Sequence, residues 1–507
     1  MRDYLPLIIA GAVIGAFTAV FIVAYAALKR SIKTPAHERT MSDGYLIRRL
    51  LSYAKPYTKQ FILVFLVMLI SIAYDVVSPL LVGRIQGLIK TQNFQLSRLY
   101  SMVAIYAGIL GVSLACTFFQ SMILQEVGQK ILTQIRLDTF TRIESLSHEQ
   151  LNQIPVGKLV TRVSNDPNSI SYLFTNILVT LLRNTMAIFG VLGGMLMLNY
   201  VLTLMVLCFV PFLVIFTLIF QKFSREVHRR VNNTRTDVNT YLSENLSGIK
   251  ITQVFNREDV KMEEFLVKSH KLAKAKFSRT LVFGVFRPMV YMLFVTSNLF
   301  LFYIGCKGYI QDTAFLGQTI TSEIVVSFYI YISKFFNPIQ ALAEQFDMLQ
   351  QSFASAEKIF TILDMKPEIV DEPDAVEMKE IKGEIEFKDV WFAYKEDEWV
   401  LKGVSFHVYP KQTVAFVGST GAGKTTILSL ICRNYDIQKG QILIDGVDIR
   451  KIKIASLRSH FGQMLQDVFL FSGDIRSNIL LRQEGVSDEE VWEACRYVNA
   501  DTFIRRL

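Results

Sequence analysis

Hydrophobic runs of about 20 residues recur along the chain, separated by polar stretches that alternate between short and long. They fall near residues 61–81, 99–123, 176–198, 201–220, 281–304 and 324–342, with an earlier run at 5–28. Each is long enough for a helix to cross a hydrocarbon core about 30 Å thick. Residues 5–28 are too long for a signal-peptide core and lack a cleavage site, so they read as a retained span. Asn199-Tyr200 and residues 305–323 are modest connections, whereas 124–175 and 221–280 are long and charged. The long ones carry Lys130, Arg136, Arg142, Arg225, Arg229 and Arg230, and positive loops stay in the cytoplasm. The pattern predicts seven spans, Met1 outside and a cytoplasmic C-terminal part.

Between the first two spans, Leu46, Leu50 and Leu51 share one helical face and Arg48 and Arg49 another, predicting an interfacial elbow helix. Asp75, Arg183 and Lys334 fall inside spans, where an unpaired charge costs about 2.5–3.5 kcal/mol on insertion scales. Asp75 is expected to face a wet cavity; Arg183 and Lys334 face either a cavity or the membrane interface. Phe328, Tyr329, Tyr331, Phe335 and Phe336 form an aromatic stripe, read as helix packing or as a lining for a hydrophobic solute.

After residue 350 an amphipathic run leads into Asp364-Met-Lys-Pro367 and an acidic segment, read as a linker. The β-patterned run EIEFKDVWFAY then opens an α/β region. The domain reading is 1–40 an extra span, 41–60 the elbow, 61–350 the membrane domain, 351–382 the linker and 383–507 a soluble domain.

Within the last region, residues 414–417 read as a short buried strand ahead of Gly418-Ser419-Thr420-Gly421-Ala422-Gly423-Lys424-Thr425. This is a complete G-x-x-x-x-G-K-[ST] phosphate loop followed by a helical run from Thr426. The glycines let successive N–H groups aim at one anion in front of a helix N-terminus. Lys424 can reach the outer phosphates of a nucleotide and the Thr425 hydroxyl can ligate Mg²⁺.

Composition agrees with a membrane protein: of 507 residues 51% are hydrophobic, and mean hydropathy is +0.33. The net charge of +9 does not point to nucleic acid, because it is concentrated beside the spans, with eight Lys or Arg between Lys29 and Lys59. Five scattered cysteines show neither metal spacing nor a disulfide framework.

Six spans with long cytoplasmic extensions, a linker and a phosphate-loop domain resemble an ATP-binding-cassette exporter half-transporter. The resemblance runs from about Tyr45 to the end. Val390-Trp-Phe-Ala-Tyr394 resembles the family's aromatic loop, which implies that Tyr394 stacks on adenine. The run from Gln463 through Gln466 to Gly473 resembles its glutamine loop, with Gln466 the better-aligned candidate for sensing Mg²⁺ and the γ-phosphate. Segments 157–166 and 244–258 resemble the two coupling segments, with breaks at Pro167 and Gly248. The resemblance implies a type I exporter fold, ATP and Mg²⁺ as cofactors, and an ATP-binding set of Tyr394, residues 418–426 and Gln466. Thr425 and Gln466 would hold the metal. It also implies a second half-transporter subunit, identical or not, and a drug, lipid or other hydrophobic solute as cargo.

The chain departs from the family in lacking the Leu-Ser-Gly-Gly-Gln signature, the acidic strand with its catalytic glutamate, and the switch histidine. Leu246-Ser-Gly248 and Ile442-Leu-Ile-Asp445-Gly446 only mimic them, so Asp445 is assigned no catalytic role. The expectation is a domain truncated in its second half, able to bind ATP but not to hydrolyse it alone. A non-catalytic partner subunit is the alternative. Asp474, where relatives often carry a small hydroxyl residue, hints at a specialised heterodimer subunit. A GTPase is disfavoured because no N-K-x-D motif is present.

Overall fold

The computed structural model describes residues 41–90, 95–311, 320–395, 398–464, 469–481, 483 and 485–506. The first expected span and Gln466 lie outside the described residues. The chain divides into two units, one built from residues up to Lys366 and the other from Pro367–Leu507 with Ser147–Glu149.

The first unit is helical: α1 (Asp43–Ala54), α2 (Thr58–Lys90), α3 (Leu96–Glu144), α4 (His148–Gln153, whose first two residues group with the second unit), α5 (Val156–Ser164) and α6 (Asp166–Tyr172). A π-turn at Leu173–Ile177 joins α6 to α7 (Leu178–Leu198). Then follow α8 (Tyr200–Leu207), α9 (Val210–Ser247), α10 (Ile249–Val254), α11 (Glu258–Gln311) and α12 (Ser322–Asp364). Five helical stretches among the described residues are long and apolar enough to cross a membrane: Asp43–Ile89, Leu96–Glu144, Val156–Leu198, Tyr200–Ser247 and Glu258–Lys307. Helix α12 is not among them. Its Tyr329, Tyr331, Lys334, Asn337 and Gln340 dilute the apolar run.

Two sequence expectations shift. Helix α12 runs unbroken to Asp364, past the expected boundary at residue 350. On α1 the buried face is Leu46, Leu50 and Ala54, at i, i+4 spacing, while Leu51 is 54% exposed. That face packs into a core with Ile131 and Ile135 of α3 and Phe353, Ile359 and Phe360 of α12, so α1 has a protein-facing side as well as an exposed one. The segment expected as the first coupling element, 157–166, falls in α5 and the start of α6; the expected second, 244–258, covers the end of α9, the six-residue α10 and the start of α11.

Helices α2 and α12 are stitched at a proline. Pro79 inside α2 cannot donate to the carbonyl one turn back, which loosens the helix there. The Tyr331 hydroxyl donates to the Val76 carbonyl, and Ser327 Oγ donates to the Pro79 carbonyl at 3.0 Å. One turn on, Lys334 Nζ bonds Asp75 at 2.8 Å. Ser327, Tyr331 and Lys334 thus lay one polar stripe of α12 along the turns of α2 around Pro79. Helix α7 reaches the same place because Gly190 and Gly194 leave room for Val76 and Tyr331.

The second unit carries an antiparallel sheet of β1 (Ile385–Ala393), β2 (Trp399–Val408), β3 (Lys439–Ile444) and β4 (Val447–Asp448), in the order β2-β1-β3-β4. Helix α13 (Lys424–Ile431) follows the phosphate loop; α14 (Ile454–Ser459), α15 (Ile475–Leu480), α16 (Asp488–Tyr497) and α17 (Asp501–Ile504) complete the elements. The core joins Phe387, Val390, Phe392 and Leu401 of the sheet to Ile427, Leu430 and Ile431 of α13.

The expected strand at residues 414–417 does not form: the segment is irregular and Val417 is 92% exposed. A strand needs a ladder partner for its backbone groups, and no strand pairs with this run among the described residues.

Candidate nucleotide-binding site

The hairpin β1–β2, the loop after residue 409 and α13 position the candidate site, which lies wholly within the second unit. Gly421 and Gly423 sit at φ +88° and +84°, the left-handed region open to glycine at little cost. Gly423 caps α13, and a Cβ there would lie 2.8 Å from Leu401 Cδ2. The loop must therefore run hard against β2 before the helix begins.

Lys424 folds back over the loop it terminates. Its Nζ donates to the carbonyls of Gly418 at 2.8 Å and Ser419 at 2.7 Å. These charge-assisted bonds hold the loop curled. The ammonium stays exposed and on the loop, where an incoming phosphate oxygen can replace a carbonyl as its acceptor. The residues present therefore fit a polyphosphate: left-handed glycines, a lysine held over the turn, and α13 beginning at once behind it. Ala422 N–H donates to Ser419 O at 3.2 Å, closing the tight turn that carries Thr420 and Gly421. Thr425 is exposed at the first turn of α13.

Tyr394 and Thr426 are brought together, their hydroxyls 3.0 Å apart. The buried Thr426 side chain is thereby committed to Tyr394. The Tyr394 ring is partly exposed and meets Phe392 and Tyr435 edge-on, at 4.8 Å and 5.1 Å between centroids. Gln438 fixes the backbone next to it, accepting from Ala393 N–H at 3.1 Å and donating to Ala393 O at 2.9 Å. Sequence reading missed Gln438 and Tyr435; both lie in an aperiodic stretch after α13, and no motif singles them out.

Two acidic residues acquire structural work. Asp445 accepts from the backbone N–H groups of Lys382, Gly383 and Glu384 at 2.6, 3.1 and 2.9 Å. With Gly446 it also forms the two-residue turn of hairpin β3–β4, both at positive φ. Asp474 caps α15, accepting from Ser477 N–H at 2.6 Å, and those hydrogen bonds hold its carboxyl below its ordinary value. An aspartate caps a helix as well as a serine or threonine does, and Asp474 fills that role here.

A membrane unit of long apolar helices joined to a unit with a phosphate-binding loop defines an ATP-binding membrane transporter. The comparisons give the family. Residues 61–339 match the ABC transporter transmembrane region and residues 401–507 match the ABC transporter domain. The chain belongs to the ABC transporter family, as a multi-pass membrane protein with a cytoplasmic nucleotide-binding domain. It is 34% identical over 462 residues to the uncharacterized ABC transporter ATP-binding protein YknV of Bacillus subtilis, covering 90% of this chain and 75% of that one. It is 30% identical to the probable multidrug resistance ABC transporter ATP-binding/permease protein YheH of Bacillus subtilis, over 83% and 62%. It is 28% identical to the ATP-dependent lipid A-core flippase of Syntrophus aciditrophicus, over 91% and 76%.

Proposed function

We propose that this chain is one subunit of a dimeric exporter that uses ATP to move a hydrophobic solute, drug or lipid across the membrane. The observation that carries the reading is the position of Lys424, bonded to the carbonyls of its own loop, at the head of α13. Residues 418–426 would cradle the phosphates, with Thr425 and Gln466 toward Mg²⁺ and the exposed edge of Tyr394 toward adenine. Bound Mg²⁺ would supply charge neutralisation between the phosphates. The names of relatives, a probable multidrug transporter and a lipid A-core flippase, support a hydrophobic cargo. Six core spans, α12 supplying the sixth despite its polar residues, with residues 5–28 as a seventh, make the membrane domain in this reading. A second half-transporter completes the nucleotide site from the opposite face.

Photolabelling of the full chain in membranes with 8-azido-ATP tests the nucleotide part. Labelling is expected to require Mg²⁺, to be displaced by ATP, and to fall at least tenfold in Lys424→Ala. Equal labelling of the variant would overturn the assignment.

A further inference from the structure

Three charges far apart in sequence converge inside the membrane unit. Asp75 of α2 bonds Lys334 of α12 at 2.8 Å and meets Arg183 of α7 at 3.8 Å. Measured along the helices, Asp75 lies about 22 Å from Lys90, Arg183 about 22 Å from Leu198 and Lys334 about 18 Å from Ser322. The three helices thus present their charges at matched depth, well inside the apolar segments.

Two cations share one carboxylate, and neither makes another ion pair among the described residues. The cluster carries a net positive charge. The two cations are held differently. Lys334 is engaged, hydrogen-bonded to Asp75 and seated 4.9 Å from the centre of the Tyr74 ring. Arg183 makes no hydrogen bond among the described residues; its one charged neighbour lies beyond hydrogen-bond reach. Its five donors in a rigid fork are open, and its side chain is 38% exposed against 24% for Asp75 and 23% for Lys334. The cluster can therefore be approached from the Arg183 side. Apolar and aromatic groups flank it: Tyr74 shares a hydroxyl contact of 3.3 Å with Tyr106, and Tyr331 closes over Val76.

We propose that Arg183, with the Asp75–Lys334 pair behind it, is a subsite for the anionic head of an amphiphile: a carboxylate, sulfonate or phosphate on a hydrophobic body. A guanidinium fork matches a planar or tetrahedral oxyanion through two parallel bonds. One negative charge neutralises the cluster. A cationic amphiphile meets net repulsion, and a neutral one leaves the fork unfilled. Asp75 keeps Lys334 from competing for the head and positions it. The proposal rests on the export reading and narrows its cargo to hydrophobic anions.

The test uses the full chain in micelles of an uncharged maltoside and the fluorescent probe dansyl-undecanoic acid, with its methyl ester as the neutral twin. The acid is expected to bind at least tenfold more tightly than the ester. Arg183→Gln should erase that difference while leaving the neutral Asp75–Lys334 pair, and Asp75→Asn should strengthen acid binding by freeing Lys334 for the head. Displacement by phosphatidylglycerol but not by decanoate assigns the subsite to a lipid; the reverse assigns it to a small amphiphile. Equal affinity for acid and ester overturns the proposal without recourse to any variant. So does an unchanged preference in a folded Arg183→Gln protein. Lys424→Ala should leave acid binding intact. An acid preference that fails while wild-type nucleotide labelling succeeds removes this proposal and leaves the export reading standing.

Discussion

The Tyr394 hydroxyl lies 3.0 Å from the Thr426 hydroxyl, joining the end of β1 to the first turn of α13. The aromatic proposed to meet a base is thus tied to the helix proposed to carry the phosphates. Tyr394→Phe leaves Thr426 without its partner and is expected to destabilise the unit by about 1–3 kcal/mol while keeping the stacking face. Tyr394→Ala removes that face as well and should weaken nucleotide binding by about 1–3 kcal/mol more. Denaturation followed by tryptophan fluorescence reads the first effect, because all three tryptophans, Trp391, Trp399 and Trp492, belong to this unit. Nucleotide titration reads the second.

Two glycines of the loop should respond differently to the same substitution. Gly421 and Gly423 share a left-handed backbone, but only at Gly423 would a Cβ meet a neighbour, Leu401 at 2.8 Å and Val400 at 3.3 Å. Gly421→Ala should cost about 1–2 kcal/mol of backbone strain. Gly423→Ala should cost more than that and also lower nucleotide affinity, since the loop must lift from β2. Equal losses in both variants would contradict the packing described.

Asp445 offers a control for function. Asp445→Ala frees three backbone N–H groups and should destabilise the unit by about 1–3 kcal/mol. At a denaturant concentration where the protein remains folded, nucleotide affinity should be unchanged.

Acid sensitivity has a traceable source in Asp448. Burial raises its pKa, yet the hydrogen bonds from the Arg450 side chain and backbone outweigh burial and leave it below the ordinary value. A carboxyl depressed in the folded state contributes stability that is fully present above its unfolded pKa of about 3.9. That contribution disappears as pH falls through the lower folded value. Asp448→Asn should therefore flatten the acid limb of the tryptophan-monitored stability profile and lower the plateau above it.

The apolar runs announced the long helices because span length and composition are local properties of the chain. The phosphate loop was legible for the same reason: its glycines, Lys424 and Thr425 sit within eight consecutive positions. What was hidden depends on register between distant segments. Asp75, Arg183 and Lys334 read as three separate problems, and only the packing allowed by Gly190 and Gly194 makes them one. Leu51 leaves the face expected for it because the buried stripe follows i, i+4 from Leu46 through Leu50 to Ala54. Residues 414–417 have strand composition, but composition cannot supply a ladder partner.

Residues 367–382, the second half of the expected linker 351–382, are sewn into the second unit. Val376 pairs with Ile452, Ser456 bonds both backbone groups of Met378, and Asp371 accepts from Ile454 N–H at 2.8 Å. The buried guanidinium of Arg433 gathers the carbonyls of Ile449, Arg450, Ile452 and Val370 around itself. For anyone dissecting the protein, the usable cut is between Asp364 and Pro367, and a protease should respect the same seam. A fragment begun at Gly383 would discard the thread that closes this side of the fold, while one begun at Pro367 would carry it intact.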